Sequence, residues 1–281
     1  MGQVVDLHIH TNASDGSERP ADAVRQAREI GLAAIAITDH DTVSGVEEAM
    51  EAGAALGVEV VPGIEISADY CGNQAHILGL FIDPKSPALR PALDWAVNER
   101  EERNRRMVAA MAADGFDISI EELTANNPDS VLGRPHMAEH LMNKGYVSSV
   151  QEAFERYLGD DCPYYLPKRR IPLDVTAQLI REAGGLAIVA HPFQYGYSEP
   201  ELHDYINAAR TAGCTGIEAY YSEHSYYQRD YILAAAHQYG LLVSGGSDWH
   251  GTRKPHVRMG SGIGGRLSVP YKVLADLKAA L

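Results

Sequence analysis

The chain has 281 residues, 45% hydrophobic and 22% charged, enough apolar material for a substantial core, which excludes disorder as the default state. A formal net charge of -14 excludes a broad electrostatic grip on a nucleic-acid backbone, because that grip needs basic surface to displace counterions. Cys71, Cys162 and Cys214 are far apart and form no CxxC pair, which argues against a disulfide framework and a thiolate zinc site.

The opening MGQVVDLHIH has neither the basic segment nor the apolar run of a secretory signal, and Asp6 stands where N-myristoylation would want Ser or Thr. No apolar stretch reaches the length of a membrane span, so we expect a cytoplasmic protein without membrane attachment. Apolar runs then alternate with helical patterns: VVDLHIH, ADAVRQAREIG, LAAIAITDH, VEEAMEAGAALG and VEVVPGIEIS. Such alternation predicts βα units and a parallel sheet, with Gly31 and Gly57 ending helices.

From about Pro84 to about Pro172 the strand signals disappear. The first helix there, LDWAVNEREERNRRMVAAMAADG, has a charged middle that we read as a solvated face, and GRPHMAEHLMNKG and SVQEAFERYLG are further helical candidates. The alternation resumes with DVTAQLIREAGG, LAIVAH, ELHDYINAARTAG, TGIEAY, YQRDYILAAAHQYG and LLVSGGSDWH. We therefore expect an α/β fold in which residues 1–83 and 172–281 form one barrel of parallel strands, and residues 84–171 are a helical insertion covering its mouth.

His8 and His10 end the first strand two apart, a spacing that sends both imidazoles to one side of an extended chain. HxH alone is weak, but the later apolar runs carry potential ligands too: Asp39 and His40, Glu65, His76 leading ILGL, His191, Glu218, and Asp248 with His250. In a parallel barrel the C-terminal strand ends converge on one face, so these residues are predicted to meet in a metal site. His140, His203, His237 and His256 fall elsewhere and are expected to be structural or solvent-facing. Imidazoles and carboxylates without thiolate suit manganese, zinc or iron(II) better than calcium, and manganese or zinc is our expectation. Asp6, Asp39 and Asp41 are expected either to orient imidazoles or to serve as turn and cap carboxylates.

The motifs DLHIHTNASDG (6–16), ITDHDTVSG (37–45), PGIEIS (62–67), HILGL (76–80), AHP (190–192) and SGGSDWH (244–250) occur in the order of the polymerase and histidinol phosphatase, or PHP, family, which the chain resembles over both barrel segments. The resemblance implies a distorted (β/α)7 barrel carrying two or three metal ions. By motif, His8, His10, Glu65 and Asp248 would hold one ion, with Glu65 bridging to a second held by His76 and His191. Asp15, His40 and His250 would hold a third, and Asp15 is a departure, since some relatives place histidine there.

The resemblance extends to a subgroup acting on small phosphorylated nucleotides or sugars. It implies a metal-dependent phosphoesterase, best read as removing the 3'-phosphate of nucleoside 3',5'-bisphosphates. The alternatives are a cyclic phosphate dihydrolase on a phosphorylated sugar, a 5'-3' exoribonuclease acting on short RNA ends, and a non-catalytic metal-binding PHP module. Pro135 suits a first helical turn, so Arg134 and His136 are candidates to receive a phosphate at that helix start. Lys168, Arg169 and Arg170 lie where the insertion returns to the barrel. We expect a solvated basic linker there, with Lys168 the candidate anion contact. His224, after the strand-end Glu218, is the candidate substrate ligand or proton donor, alongside Glu65 and Asp248 as the catalytic set.

Overall fold

The computed structural model describes residues 3–128 and 130–281. The first half runs β1 (Val4–Ile9), α1 (Pro20–Glu29), β2 (Ala34–Ile37), α2 (Val46–Leu56), β3 (Glu59–Tyr70) and β4 (Asn73–Leu80). Pro20 opens α1, where its missing N–H costs nothing, and Gly57 closes α2 in the left-handed conformation at φ 71°. All four residues of β2 are buried, as expected of strands covered on both faces.

After β4 come α3 (Leu89–Ala113), α4 (Ile120–Asn126), α5 (Arg134–Asn143), α6 (Val150–Ala153) and a π-helical turn at Phe154–Leu158. The second half runs β5 (Ile171–Pro172), α7 (Leu173–Glu182), β6 (Leu186–Val189), α8 (Glu199–Ala212), β7 (Gly216–Tyr221), α9 (Tyr226–Tyr239) and β8 (Leu242–Gly246). A small hairpin of β9 (Val257–Arg258) and β10 (Gly262–Ile263) follows, then β11 (Val269–Pro270) antiparallel to β1, and α10 (Tyr271–Lys278).

The main strands pair in the order β1-β2-β3-β4-β6-β7-β8, and the two ends of the sheet approach each other. Asp248 N–H donates to the His8 carbonyl at 2.9 Å and His10 N–H to the Trp249 carbonyl at 2.9 Å, so the seam closes where the metal-site motifs lie. Gly246 permits this approach, since a Cβ on it would sit 2.3 Å from His8 N. The result is a distorted (β/α)7 barrel.

The distortion lies in β4. A barrel of wholly parallel strands was expected, but β4 is antiparallel to both β3 and β6, because a tight hairpin at Cys71 and Gly72 replaces the crossover helix. The start of β4 therefore lies at the end of the barrel where its neighbours finish. That is why His76 precedes its apolar run while the other candidates sit at or near the ends of theirs.

Helix α3 passes between two hydrophobic clusters. Leu89, Leu93 and Ala96 pack with barrel residues such as Ile66 and Ile77, whereas Met107, Val108 and Met111 pack with Met137 and Leu141 of α5. Between these groups Arg100, Arg103 and Asn104 are buried. This corrects the reading of the charged middle as a solvated face: Glu101, Glu102 and Arg105 are exposed, but two arginines point inward.

Candidate metal centre

Glu65 lies on β3 with its side chain 1% exposed, and five imidazoles surround its two carboxylate oxygens. Oε2 faces His8 Nε2 at 3.5 Å, His10 Nε2 at 3.2 Å and His40 Nδ1 at 3.0 Å. Oε1 faces His76 Nδ1 and His191 Nε2, each at 3.0 Å. Asp248 Oδ1 is 3.5 Å from His8 Nε2 and 3.3 Å from His10 Nε2. Asp15 approaches His250 at 3.3 Å, His10 at 3.6 Å and His40 at 3.8 Å. All nine sequence-derived candidates thus come together at one end of the barrel.

Their donor atoms group as His10, Asp15, His40 and His250; His8, His10 and Asp248; His8, Glu65 and His191; and His40, Glu65 and His76. These clusters fit divalent cations. His8 Nε2 and His10 Nε2 face each other at 3.1 Å, and Glu65 Oε2 with the Nδ1 atoms of His10, His40 and His191 are buried without hydrogen-bond partners among the described residues. Imidazoles and carboxylates crowded this closely, with polar atoms left unpaired, call for positive charge among them, from protons on the imidazoles or from a cation. The electrostatics agree. Burial opposes charge on His8 and His10, yet the facing carboxylates push His8 well up and His10 to about 9. Burial likewise opposes ionisation of Glu65, but His76, His40 and His8 hold it well below the usual range.

The groups behind the candidates fix their aim. Glu218, buried on β7, pairs with His8 Nδ1 at 3.1 Å and accepts the His191 N–H at 2.9 Å. Tyr221 and Lys254 donate to Asp248 Oδ2 at 2.9 and 2.7 Å. Asp41, His191 and Asp248 each hold positive φ without being glycine, so backbone strain gathers at this site.

The PHP domain model matches residues 6–161, more than half of the chain. The chain belongs to the PHP domain family. It is 34% identical over 88% of its length, and 87% of the relative's, to the 3',5'-nucleoside bisphosphate phosphatase of Chromobacterium violaceum. It is 31% identical, over 89% of its length and 91% of the relative's, to the 5'-3' exoribonuclease of Haemophilus influenzae. A crystal structure described as a metal-dependent phosphoesterase from Bifidobacterium adolescentis superposes with a TM-score of 0.87 at 30% identity, covering 99% of this chain and 96% of that one. This PHP chain is accordingly a metal-dependent phosphoester hydrolase, with a barrel that none of its described helices would anchor by crossing a membrane.

The remaining candidates of the PHP site fall differently. Asp6, Asp39 and Asp41 hold backbone and loops rather than imidazole rings: Asp6 accepts from Ser247 N and Gly260 N, both at 2.7 Å, and Asp39 from Thr11 N at 2.7 Å and Ser14 Oγ at 2.6 Å. Asp39 thereby shapes the loop that delivers Asp15. His140 bonds the Asp117 carbonyl and His203 the Tyr239 hydroxyl, while His237 and His256 are exposed, as expected of residues outside the site.

Arg134 does not stand free at its helix start, because it donates to the Leu158 carbonyl at 2.9 Å and to Asp160 at 2.8 Å. His136 is 1% exposed: Nδ1 accepts the Gly133 N–H at 2.9 Å and Nε2 lies 3.1 Å from Arg253. Burial and then Arg253 press it down to about 4, so it is a neutral structural acceptor in this arrangement rather than a direct phosphate donor. His224 packs beside Phe193 and Tyr221 with Nδ1 at 3.0 Å from the Ala219 carbonyl, outside the donor groups above.

Lys168 departs from the solvated-linker expectation. Its side chain is 8% exposed and reaches Asp41 at 2.9 Å, where Arg100 also pairs, while Arg169 stays outside with Glu99. Sequence reading missed Arg100 and Arg103. Their signal was the spacing of Leu89, Leu93, Ala96, Arg100, Arg103, Met107 and Met111, a core-facing stripe in which two positions are arginine.

Proposed function

We propose that the chain removes the 3'-phosphate from nucleoside 3',5'-bisphosphates, using manganese or zinc held by His8, His10, Asp15, His40, Glu65, His76, His191, Asp248 and His250. Divalent ions in those clusters supply Lewis acidity toward the phosphoryl group and toward water near neutral pH. The protein's own part is positional: Glu65 spans the donor groups, Glu218 and Tyr221 hold ligand side chains in place, and Lys254 brings a positive charge to the same mouth. Lys254 is our assignment for the charge facing the departing oxygen, and His224, whose Nδ1 meets the Ala219 carbonyl while its Nε2 is buried without a partner among the described residues, is the alternative proton donor.

The observation that carries the choice of a two-phosphate substrate is buried positive charge beside the metal clusters. Arg100, Arg103 and Lys168 crowd together, with Asp41, the residue after His40, as the carboxylate paired to both Arg100 and Lys168. Arg100 Nε and Arg170 Nε are buried without hydrogen-bond partners among the described residues. Burial and then Arg100 push Lys168 down to about 7, and burial and then Arg100 push Arg103 down to about 9. Buried cations in excess of their carboxylate are stabilised by an anion, and a terminal phosphate supplies both charge and acceptors. Arg134, which adds to the positive field at Arg103, borders this group.

Kinetics on manganese-loaded protein test the reading. The panel comprises nucleoside 3',5'-bisphosphates, 5'-phosphorylated oligoribonucleotides, a cyclic phosphoribosyl phosphate and an aryl phosphate. The bisphosphates should give the highest kcat/KM, with nucleoside 5'-phosphate and inorganic phosphate as products. A higher value on oligoribonucleotides would transfer the assignment to an RNA end, the activity named for the Haemophilus influenzae relative.

A further inference from the structure

Strands β4 and β6 are antiparallel neighbours, and each brings one imidazole to the candidate metal centre, His76 and His191. Their register pairs Ile77 with Val189, so His76 faces Ala190, the residue before His191. A hydrogen-bonded pair in an antiparallel ladder exchanges two N–H···O bonds. One of them is present here, from the Ala190 N–H to the His76 carbonyl at 3.1 Å. In place of the other, the His76 N–H donates to the Tyr195 hydroxyl at 2.8 Å, and that hydroxyl donates to the Ala190 carbonyl at 3.1 Å. We propose that Tyr195 is a positioning residue for the metal centre: its hydroxyl, wedged into the ladder, sets the spacing at which the imidazoles of His76 and His191 meet Glu65. The inference rests on the reading of His76 and His191 as metal ligands and is independent of which phosphate ester is hydrolysed.

Bridging an N–H to a carbonyl through one atom takes an atom that both accepts and donates, and of the Phe, Tyr and Trp rings only tyrosine carries one. The chain brings it here through a short 3-10 turn, Pro192–Tyr195, closed by Gly196 in the left-handed conformation at φ 68°. Tyr197 and the fully buried Tyr205 hold the Tyr195 ring in place, with centroids 5.8 and 5.6 Å away. Two hydrogen bonds in series span more than one, so the strands are held apart on the side of the missing bond. The opening falls where the donor atoms converge: His76 Nδ1 lies 3.3 Å from His191 Nε2, and each is 3.0 Å from Glu65 Oε1. Without the hydroxyl, the His76 N–H and the Ala190 carbonyl lose their partners, and the ladder satisfies both by closing. Closure changes the gap between two imidazoles that share a cation. Tyr197 is the comparison within the same aromatic cluster, since its hydroxyl is buried without a hydrogen-bond partner among the described residues and so packs without bridging.

Calorimetric titration of chelator-treated protein with manganese(II) alone tests this without any substrate. Tyr195→Phe should weaken the same binding step that His76→Ala weakens, by about tenfold to a hundredfold, the scale on which groups behind metal ligands act. Tyr197→Phe, which removes a hydroxyl of the same cluster, should leave the affinity within about twofold of the unaltered protein. The double variant Tyr195→Phe/His76→Ala should bind within about twofold of His76→Ala alone, because the spacing of two imidazoles has no effect once one of them is gone. If chelator-treated Tyr195→Phe loses its fold, as a thermal melt would reveal, the rate at which a chelator strips manganese from the loaded variants carries the same comparison. Unchanged affinity in Tyr195→Phe, an equal loss in Tyr197→Phe, or losses that multiply in the double variant would each overturn the proposal and leave the hydroxyl a structural bond. Unchanged affinity in His76→Ala would strike His76 from the ligand set, and the proposal would fall with the metal reading beneath it, a failure seen apart from any behaviour of Tyr195.

Discussion

Arg253 Nε donates to Glu139 Oε2 at 2.9 Å, joining the loop after β8 to helix α5. The same guanidinium reaches the Gly16 carbonyl at 2.7 Å, Asn127 at 2.8 Å and His136 at 3.1 Å. One side chain therefore ties the segments carrying Asp15 and His250 to the helices that overhang them. Arg253→Met should loosen Asp15 and His250 together, lowering metal retention at that pair and raising KM more than it lowers kcat. Metal analysis after dialysis, together with steady-state kinetics, checks this; unchanged retention and KM would reduce Arg253 to a surface contact.

Glu65→Gln should abolish turnover, since one carboxylate spans two donor groups and an amide offers a weaker, neutral ligand. A loss of about a thousandfold or more in kcat/KM, with lowered metal content and an unchanged circular-dichroism spectrum, is the expected outcome. Full activity at normal metal content would remove Glu65 from the centre.

The group formed by Asp15, His40 and His250 should be the first to release its ion on partial chelation, because this group lies outside the reach of Glu218 and Tyr221, which brace His8, His191 and Asp248. Anomalous diffraction after graded chelation would rank the sites. Early emptying around Glu65 would reverse the order.

Lys168→Met should cost about tenfold to a thousandfold in kcat/KM on a bisphosphate and little on an aryl phosphate, the scale of one charge-assisted contact and the positioning it gives. Its titration supplies an independent readout. Held down at about 7 by burial and then Arg100, Lys168 loses its charge as pH rises through that value, so KM for the bisphosphate should climb between about pH 7 and 9. For the ligand-free fold the sign is opposite: the unfolded chain binds the Lys168 proton more tightly, and this residue's contribution to stability grows with pH over the same interval. The variant should flatten both responses.

Gly246→Ala should destabilise the protein, since the added methyl would meet His8 N at 2.3 Å and His8 Cβ at 2.4 Å across the seam. A lowered melting temperature together with lost metal affinity is expected; a melting temperature equal to that of the unaltered protein would mean that the seam yields freely.

The barrel and the meeting of the candidate ligands at one end of it were legible because apolar runs and chemically distinctive residues sit side by side: His8 and His10 in VVDLHIH, His191 after LAIVA, Asp248 after LLVSGG. The reversal of β4 was not, since periodicity reports strand character but not direction. Arg100 and Arg103 were hidden by their neighbours, for Glu101, Glu102 and Arg105 give the segment a solvated look that only the three- and four-residue spacing contradicts. His136 carried a local signature, the helix start at Pro135, but that signature pointed to a phosphate rather than to Arg253, and Arg253 carried none. Arg253 meets Gly16, Asn127, His136 and Glu139, contacts between distant segments that exist only once the chain is folded, whereas the bond from Gly133 to His136 is local to the helix start.

The reversed β4 places Glu65 and His76 on opposite arms of one hairpin, where Ser67 pairs with His76 and Glu65 with Leu78. The turn at Cys71 and Gly72 thus works as a caliper for the candidate metal centre. Removing one residue from it would slip the two arms by a single step and swing His76 to the far face of the sheet, whereas the same deletion in a helix-to-strand crossover could be absorbed by the loop. This hairpin is therefore the stretch of the barrel in which chain length itself, as much as residue identity, is held fixed by chemistry.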